Sequence, residues 1–342
     1  MYTLGTSYLR GSIMRRILED YVNWSFQLER ALNYEVADAQ ALDVSTLSGI
    51  AFVGMGGSGI VGDMLSKYFE REIDIPVVAI KSYVLPRYVN SEWLVIAVSY
   101  SGNTLETLSA FHEAIRRRAK VGVVASGGQL ALLAERWRLP RVIVEKEHLP
   151  RTALPALLAG TLGLLSKLIE LDVSLERGVE VLRDSSALNE AESLAKYLYG
   201  GIPVFVVSES YYPVGLRAKN EINENAKVAS KVEVIPEWGH NDIVGWEGIP
   251  RNWLRVVAIK GDQDPAIDFA LDYLRELGHD VRALEICRYG YLETVLYGSW
   301  LVGLASVFLA GLRGVDPEVT TSIEKYKEFM RSYLKVSQNR VL

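Results

Sequence analysis

The chain has 342 residues, enough for two domains of ordinary size, and 49% hydrophobic against 23% charged residues describes a globular protein with ample apolar surface for its cores. A net charge of −5, with no basic block longer than Arg116–Arg118, excludes the electrostatic footprint of a nucleic-acid binder; those arginines read as a solvated helix face. One cysteine and four scattered histidines exclude an internal disulfide and leave no zinc-ligand spacing, so neither metal nor cofactor is expected.

The N-terminal stretch MYTLGTSYLRGSIMRRILED has no apolar core beside a cleavage site and reads as a helical lead, not a secretory leader; the chain is expected to be cytoplasmic. Apolar β-branched runs then predict strands at 49–53, 76–80, 93–98, 121–125 and 141–144, separated by helices over 59–70, 104–119 and 128–137. Continuous apolar strands alternating with amphipathic helices imply a parallel sheet covered on both faces. A long apolar helix follows over 153–171, then a polar, charged, helical stretch, and a domain boundary is expected near 172. Beyond it the pattern restarts, with strands at 203–207, 231–235, 254–259 and 281–286 and helices near 213–227, 264–277 and 293–312. GIAFVGMGGSG and GIPVFVVSESY open the two halves alike. Residues 294–312 carry no charge over a near-spanning length, but interspersed glycines and serines and the lack of a second span favour a buried helix over a membrane segment. Cys287 reads as an inert thiol at the end of a buried strand.

Two loops in the first half carry chemistry. GMGGSG, residues 54–59, fits the glycine pattern of a dinucleotide-binding turn, yet Lys81, Ser82 and Tyr83 follow the second strand where such a site needs an acid. No Gly-Lys-Ser/Thr follows either, so a Walker-type loop is excluded. What remains is a glycine turn offering backbone N–H groups and the Ser58 hydroxyl at a helix start, suited to an anion or a sugar oxygen, or else a tight strand–helix turn that needs small residues for packing. The second loop, SYSGNTLET, is expected to use Asn103 and Glu106 as a capping box. That leaves Ser99, Ser101 and Thr104 unexplained. Loops after neighbouring parallel strands meet at the carboxyl edge, where three hydroxyls and helix-start N–H groups would hold a phosphate monoester without a lysine.

GMGGSG followed by SYSGNTLET resembles the sugar isomerase (SIS) domain, a doubly wound unit that binds phosphosugars. With LPRTALP at 149–155, KNEINENAK at 219–227, EWGHND at 237–242 and IEKYK at 323–327, the resemblance is to the bifunctional phosphoglucose/phosphomannose isomerase family and runs from about 45 to 330. It implies an α/β fold of two doubly wound parallel-sheet (SIS-type) domains packed together with a C-terminal helix, here over 1–172 and 173–342. It implies that Ser58, Ser99, Ser101 and Thr104 hold the phosphate while Gly56 and Gly57 line the sugar. Arg151 matches the arginine beside the reacting carbons, Glu224 the catalytic base, and His240 the ring-opening histidine. Lys327 matches a C-terminal lysine, with Lys325 adjacent in a loose motif, and Thr320 a threonine near the substrate. Family members are homodimers, the histidine entering from the partner; sugar phosphates are the expected partners, with no nucleic acid and no membrane.

The chemistry asks for these residue types. Ring opening of a cyclic hemiacetal needs an acid/base near neutrality, which histidine supplies. Moving a proton between C2 and C1 needs one carboxylate over both carbons, and the cis-enediolate needs a fixed cation. Each residue also has a plainer reading: Glu224 a solvated or paired helix glutamate, Arg151 an arginine paired with some nearby carboxylate, His240 a loop histidine. Glu221, one turn before Glu224, would be the matched control. His112, His148 and His279 read as structural. A phosphosugar-binding SIS regulator and an amino-sugar phosphate isomerase are the alternatives to a glucose 6-phosphate, mannose 6-phosphate and fructose 6-phosphate isomerase.

Overall fold

Each apolar run read from the sequence is a strand in the computed structural model, which describes residues 12–338. The strands are β1 Val36–Ala37, β2 Gly49–Val53, β3 Val77–Ile80, β4 Trp93–Ser99, β5 Lys120–Ala125, β6 Arg141–Ile143, β7 Ile202–Ser208, β8 Lys231–Ile235, β9 Leu254–Lys260 and β10 Val281–Glu285. The helices of the first half are α1 Ser12–Val22, α2 Trp24–Ala31, α3 Gly56–Phe69, α4 Leu105–Arg116, α5 Gly128–Arg136 and α6 Leu154–Ile169. Then come α7 Glu176–Val181, α8 Ala187–Leu198, α9 Tyr212–Glu221, α10 Asp242–Gly245, α11 Pro265–Glu276, α12 Tyr291–Arg313 and α13 Thr321–Gln338.

The first sheet has the order β1-β6-β5-β4-β2-β3 and is parallel except for β1, a two-residue antiparallel edge too short to have shown in the hydrophobic pattern. β2 and β4 are buried along their whole length because both faces are covered. Successive side chains point to opposite faces, so Ile50, Phe52, Leu94 and Ile96 join the interior with α6, while Ala51, Val53, Val95 and Ala97 pack with Leu108 and Phe111 of α4 and Leu130 of α5.

The second sheet, β10-β9-β7-β8, is wholly parallel and repeats the order β5-β4-β2-β3, so the likeness between the two openings extends to topology. The strand order reverses direction between β2 and β4 in one sheet and between β7 and β9 in the other. Those crevices are where ligands of doubly wound sheets bind. The second crevice is filled: a Cβ on Gly261 would lie 2.4 Å from the Tyr211 ring, whose hydroxyl reaches Asp262 at 3.4 Å. At the first, a Cβ built on Gly56 would meet nothing within 4 Å.

α12, apolar all round, is a core helix, with 89% of its most hydrophobic window buried against the rest of the chain. Gly303 lets it pass within contact of the Tyr21 ring. Three expectations need correction. Cys287 lies past the end of β10 and is exposed, since the chain turns out of the sheet at Ile286. Arg117 is not on a solvated face: its guanidinium gathers the carbonyls of Leu85, Pro86 and Val89 and the Glu113 carboxylate, tying down the loop before β4. The capping box at α4 does not form either. Thr104 is the N-cap residue, Asn103 instead bridges Ser101 O and Gln129 N, and Glu106 accepts from the Tyr83 hydroxyl at 2.8 Å.

Candidate active site

The two loops at the first crevice meet. Ser58, in the first turn of α3, accepts the Tyr100 N–H at 3.0 Å, which leaves its own hydroxyl proton free to donate elsewhere. Ser99 closes β4, is buried, and bonds Thr104 at 3.1 Å; the Asn103 N–H folds back on Ser101 at 3.3 Å. Gly102 has φ +64, and a Cβ there would sit 1.9 Å from Gly127 O, so only glycine allows this turn. α3 and α4 both start here without a side-chain cap, which points their first N–H groups and dipoles at the same crevice.

Gly57 joins this edge to the segment that carries Arg151. A Cβ on it would lie 3.0 Å from Pro150 O and 3.4 Å from the Arg151 Cα, so the glycine turn rests directly on the segment before α6. Arg151 is buried. Its Nη1 stands 3.5 Å from Glu224 Oε2, its Nε donates to Asn225 Oδ1 at 2.8 Å, and its Nη2 donates to Pro317 O at 2.7 Å. The N-terminal helices fix this segment from behind. Trp24 and Gln27 donate to Thr152 O at 2.8 and 3.3 Å, and Asp20 accepts from the Thr152 hydroxyl at 2.9 Å.

Glu224 projects from a π-turn, Ile222–Ala226, that continues α9. The extra residue per turn rotates Glu224 off the face that Arg217 and Glu221 occupy, a use to which π-turns are frequently put at functional sites. Burial and the neighbouring Glu221 carboxylate push the Glu224 carboxyl above its ordinary value, against the opposing pull of Arg151. Glu224 lines a cavity of about 400 Å³ with Asn223, Lys227, Thr320 and Ile323. Lys227, which donates to the carbonyls of Glu224 and Pro317, is a wall residue that the motif contained but sequence reasoning passed over. Burial and Arg151 hold its ammonium below the usual lysine range.

Along the chain from Pyrobaculum aerophilum named "Bifunctional phosphoglucose/phosphomannose isomerase", identity is 33% over 92% of this chain and 99% of that one. The chain belongs to the bifunctional phosphoglucose/phosphomannose isomerase family. Residues 187–330 also match the family model described as "Bacterial phospho-glucose isomerase C-terminal SIS domain". A relative from Sulfolobus acidocaldarius, named "D-glucosamine-6-phosphate 4-epimerase", is 30% identical over 90% of this chain and 96% of its own. In fold the chain is similar to the C-terminal domain of glucosamine-fructose-6-phosphate aminotransferase from Francisella tularensis, with a TM-score of 0.70 at 16% identity, covering 92% of this chain and all of that one.

Of the residues that match the phosphoglucose/phosphomannose isomerase motifs, the fold brings Gly57, Arg151 and Glu224 into one continuous contact and Thr320 into the same cavity wall. Gly56, Ser58, Ser99, Ser101 and Thr104 gather at the adjoining sheet edge. Two others stand apart. His240 is exposed, on a turn beyond the edge strand β8, and among the described residues it shares no hydrogen bond or ion pair with Arg151 or Glu224. Lys327 is exposed on α13, next to Tyr326; burial, helped by the proximity of Tyr326, raises the Tyr83 hydroxyl above its ordinary value, and Tyr83 in turn donates to Glu106 in the first turn of α4. His148 and His279 are largely buried, against Asp20 and the Trp246 carbonyl respectively. Glu221 is not the detached control it looked: buried to 2% exposure, it bonds Tyr21, Arg217 and Asn225. Helical spacing was the available signal, since Arg217, Glu221 and Asn225 recur every four residues.

Proposed function

We propose that the chain interconverts glucose 6-phosphate and mannose 6-phosphate with fructose 6-phosphate through a cis-enediol. The observation that carries this reading is the Arg151–Glu224 pair, a buried cation 3.5 Å from a carboxylate of raised proton affinity, abutting an anion-suited glycine turn through Gly57. Glu224 shuttles the proton between C2 and C1 as a base whose displaced carboxyl suits work near neutral pH. Arg151, always charged and offering a rigid donor fork, takes up the charge that develops on the enediolate oxygen. Ser58, Ser99, Ser101 and Thr104, with the first N–H groups of α3 and α4, hold the phosphate, and Gly56 and Gly57 let the sugar approach the backbone. Thr320, in the wall of the Glu224 cavity, adds to the substrate's surroundings, and Lys327, exposed on α13, would have to reach the substrate from outside that wall.

His240 opens the sugar ring, and in this reading it does so in the partner's site within a homodimer. Its exposure, away from the contacts that its own chain's Glu224 makes, supports that assignment. So does α13, whose Tyr326, Phe329 and Tyr333 are each more than half exposed along one side. We further propose that the chain divides into 1–172 and 173–342, and that the enzyme works in the cytoplasm.

A coupled assay for glucose 6-phosphate formed from fructose 6-phosphate, run with excess EDTA, tests the activity. Turnover with both hexose phosphates is expected; turnover of neither would overturn the proposal. The 4-epimerase relative favours a second reading, on an amino-sugar phosphate. Glucosamine 6-phosphate is therefore the competing substrate, and its exclusive conversion would replace the hexose phosphates.

A further inference from the structure

Behind the Arg151–Glu224 pair lies a buried polar network. Glu221 Oε1 accepts from Arg217 Nη2 at 2.7 Å, and Oε2 accepts from the Tyr21 hydroxyl and from Asn225 Nδ2, the latter at 2.9 Å. Asn225 Nδ2 also donates to Ser306 Oγ at 2.8 Å, and Arg217 donates to the Arg151 carbonyl. Arg217, Glu221 and Asn225 are at most 2% exposed. Breaking such a network leaves buried groups unpaired, which makes it rigid.

The chemistry permits one orientation of the Asn225 amide. Glu221 offers only lone pairs to it and Arg151 Nε offers only a proton. The amide nitrogen must therefore face Glu221 and the amide oxygen must face Arg151. Turned over, it would set oxygen against oxygen on one side and N–H against N–H on the other. The charge on Glu221 thus dictates the direction of the bond that Asn225 makes to Arg151, 2.8 Å away. We propose that Glu221 and Asn225 are positioning residues of this site: the buried carboxylate orients the amide, and the amide holds the Arg151 guanidinium in the plane in which it meets Glu224. The inference rests on the isomerase reading for its kinetic consequences but not for its geometric one.

The test is a reversal of polarity. Glu221→Gln keeps the shape but presents an NH2 to Asn225, so the amide turns over and Arg151 loses its acceptor. Asn225→Asp sets two carboxylates face to face. When the two substitutions are combined, the amide now at position 221 donates to the carboxylate now at position 225. That carboxylate accepts from Arg151 on its other oxygen, and the relay is restored with its charge moved one place along. In the wild type an exchange-protected Arg151 Nε–H resonance, assigned by its absence in Arg151→Lys, is expected. It should vanish in Glu221→Gln and return in the double, while in Asn225→Asp, whose carboxylate still accepts from Arg151, it should remain. kcat should fall by roughly tenfold or more in each single variant, with KM nearly unchanged, and recover to within about threefold in the double. Persistence of the resonance in Glu221→Gln, or losses that multiply in the double, would overturn the proposal. Should Glu221→Gln fail to fold, Asn225→Leu leaves the Arg217–Glu221 pair intact and must lose the same resonance. A wild type that shows the resonance but isomerises neither hexose phosphate would refute the isomerase reading while the resonance pattern still decides the relay.

Discussion

Glu224 sits between two opposed influences, and its chemistry follows from their balance. Desolvation and Glu221 favour its neutral form; Arg151, Arg217 and Lys227 favour the charged one, and the first pair prevails. If Glu224 is the base, Glu224→Gln should lower kcat by about 10²–10⁴-fold toward both glucose and mannose 6-phosphate, while binding of a sugar-acid phosphate changes little. Loss of C2-hydrogen exchange with solvent should match the loss of turnover; a variant with full turnover would remove the mechanism. The acid limb of kcat should lie above the ordinary glutamate value of 4.5. Stability carries the same sign. A carboxyl whose folded value is raised favours the folded state at low pH and loses that contribution as pH rises through the folded value. Denaturation of wild type and Glu224→Gln at about pH 4 and about pH 7 should therefore show the wild type losing ground to the variant at the higher pH.

At the scale of elements, the edge proposed to hold the phosphate is a property of strand order. β2 and β4 are neighbours whose following connections leave in opposite directions, so the starts of α3 and α4 converge with no loop between them. Serine and threonine hydroxyls there satisfy one another in the free protein, as Ser99 and Thr104 do, and can turn toward an anion without moving the backbone. Ser101→Ala combined with Thr104→Ala should raise KM for the sugar phosphate, each lost hydrogen bond to a charged group being worth about 1.5–3 kcal/mol. Inorganic phosphate should inhibit the double variant correspondingly less. Unchanged KM and unchanged inhibition would remove these hydroxyls from the phosphate site. The second sheet has the same strand order, but Tyr211 and Asp262 occupy its crevice, so topology permits a site and side chains decide whether it stays open.

For the whole molecule, His240 is exposed and shares no hydrogen bond or ion pair with its own chain's Glu224, and the proposal places it in the partner's site. Mixing provides the check. Subunits carrying Glu224→Gln and subunits carrying His240→Asn should each be nearly inactive alone. Unfolded together and refolded as a one-to-one mixture, they should recover about a quarter of wild-type activity, because half the dimers would be mixed and each would hold one intact site of two. No recovery would place both residues in the same chain's site.

The linear sequence determined the strands, the helix periods and the two glycine and serine loops, because burial period and residue type are local properties; the roles expected of Arg151 and Glu224 came from the family resemblance. It also marked α12 as buried, since its glycines fit a packed interior. It misread Asn103 and Glu106, whose capping spacing was genuine but whose partners, Gln129 and Tyr83, come from other elements and won. Cys287 was misread for a different reason, because β10 ends at Glu285, one residue before the expected strand does, and the chain then leaves the sheet. What only the tertiary structure decided is the ground beneath the site. Tyr21 lies 200 positions from Glu221, and Asn225 lies 74 from Arg151, yet they share one buried hydrogen-bonded cluster. A hydrogen bond depends on positions in space that no local pattern encodes, so the cluster behind Arg151 and Glu224 became legible only once the chain was folded.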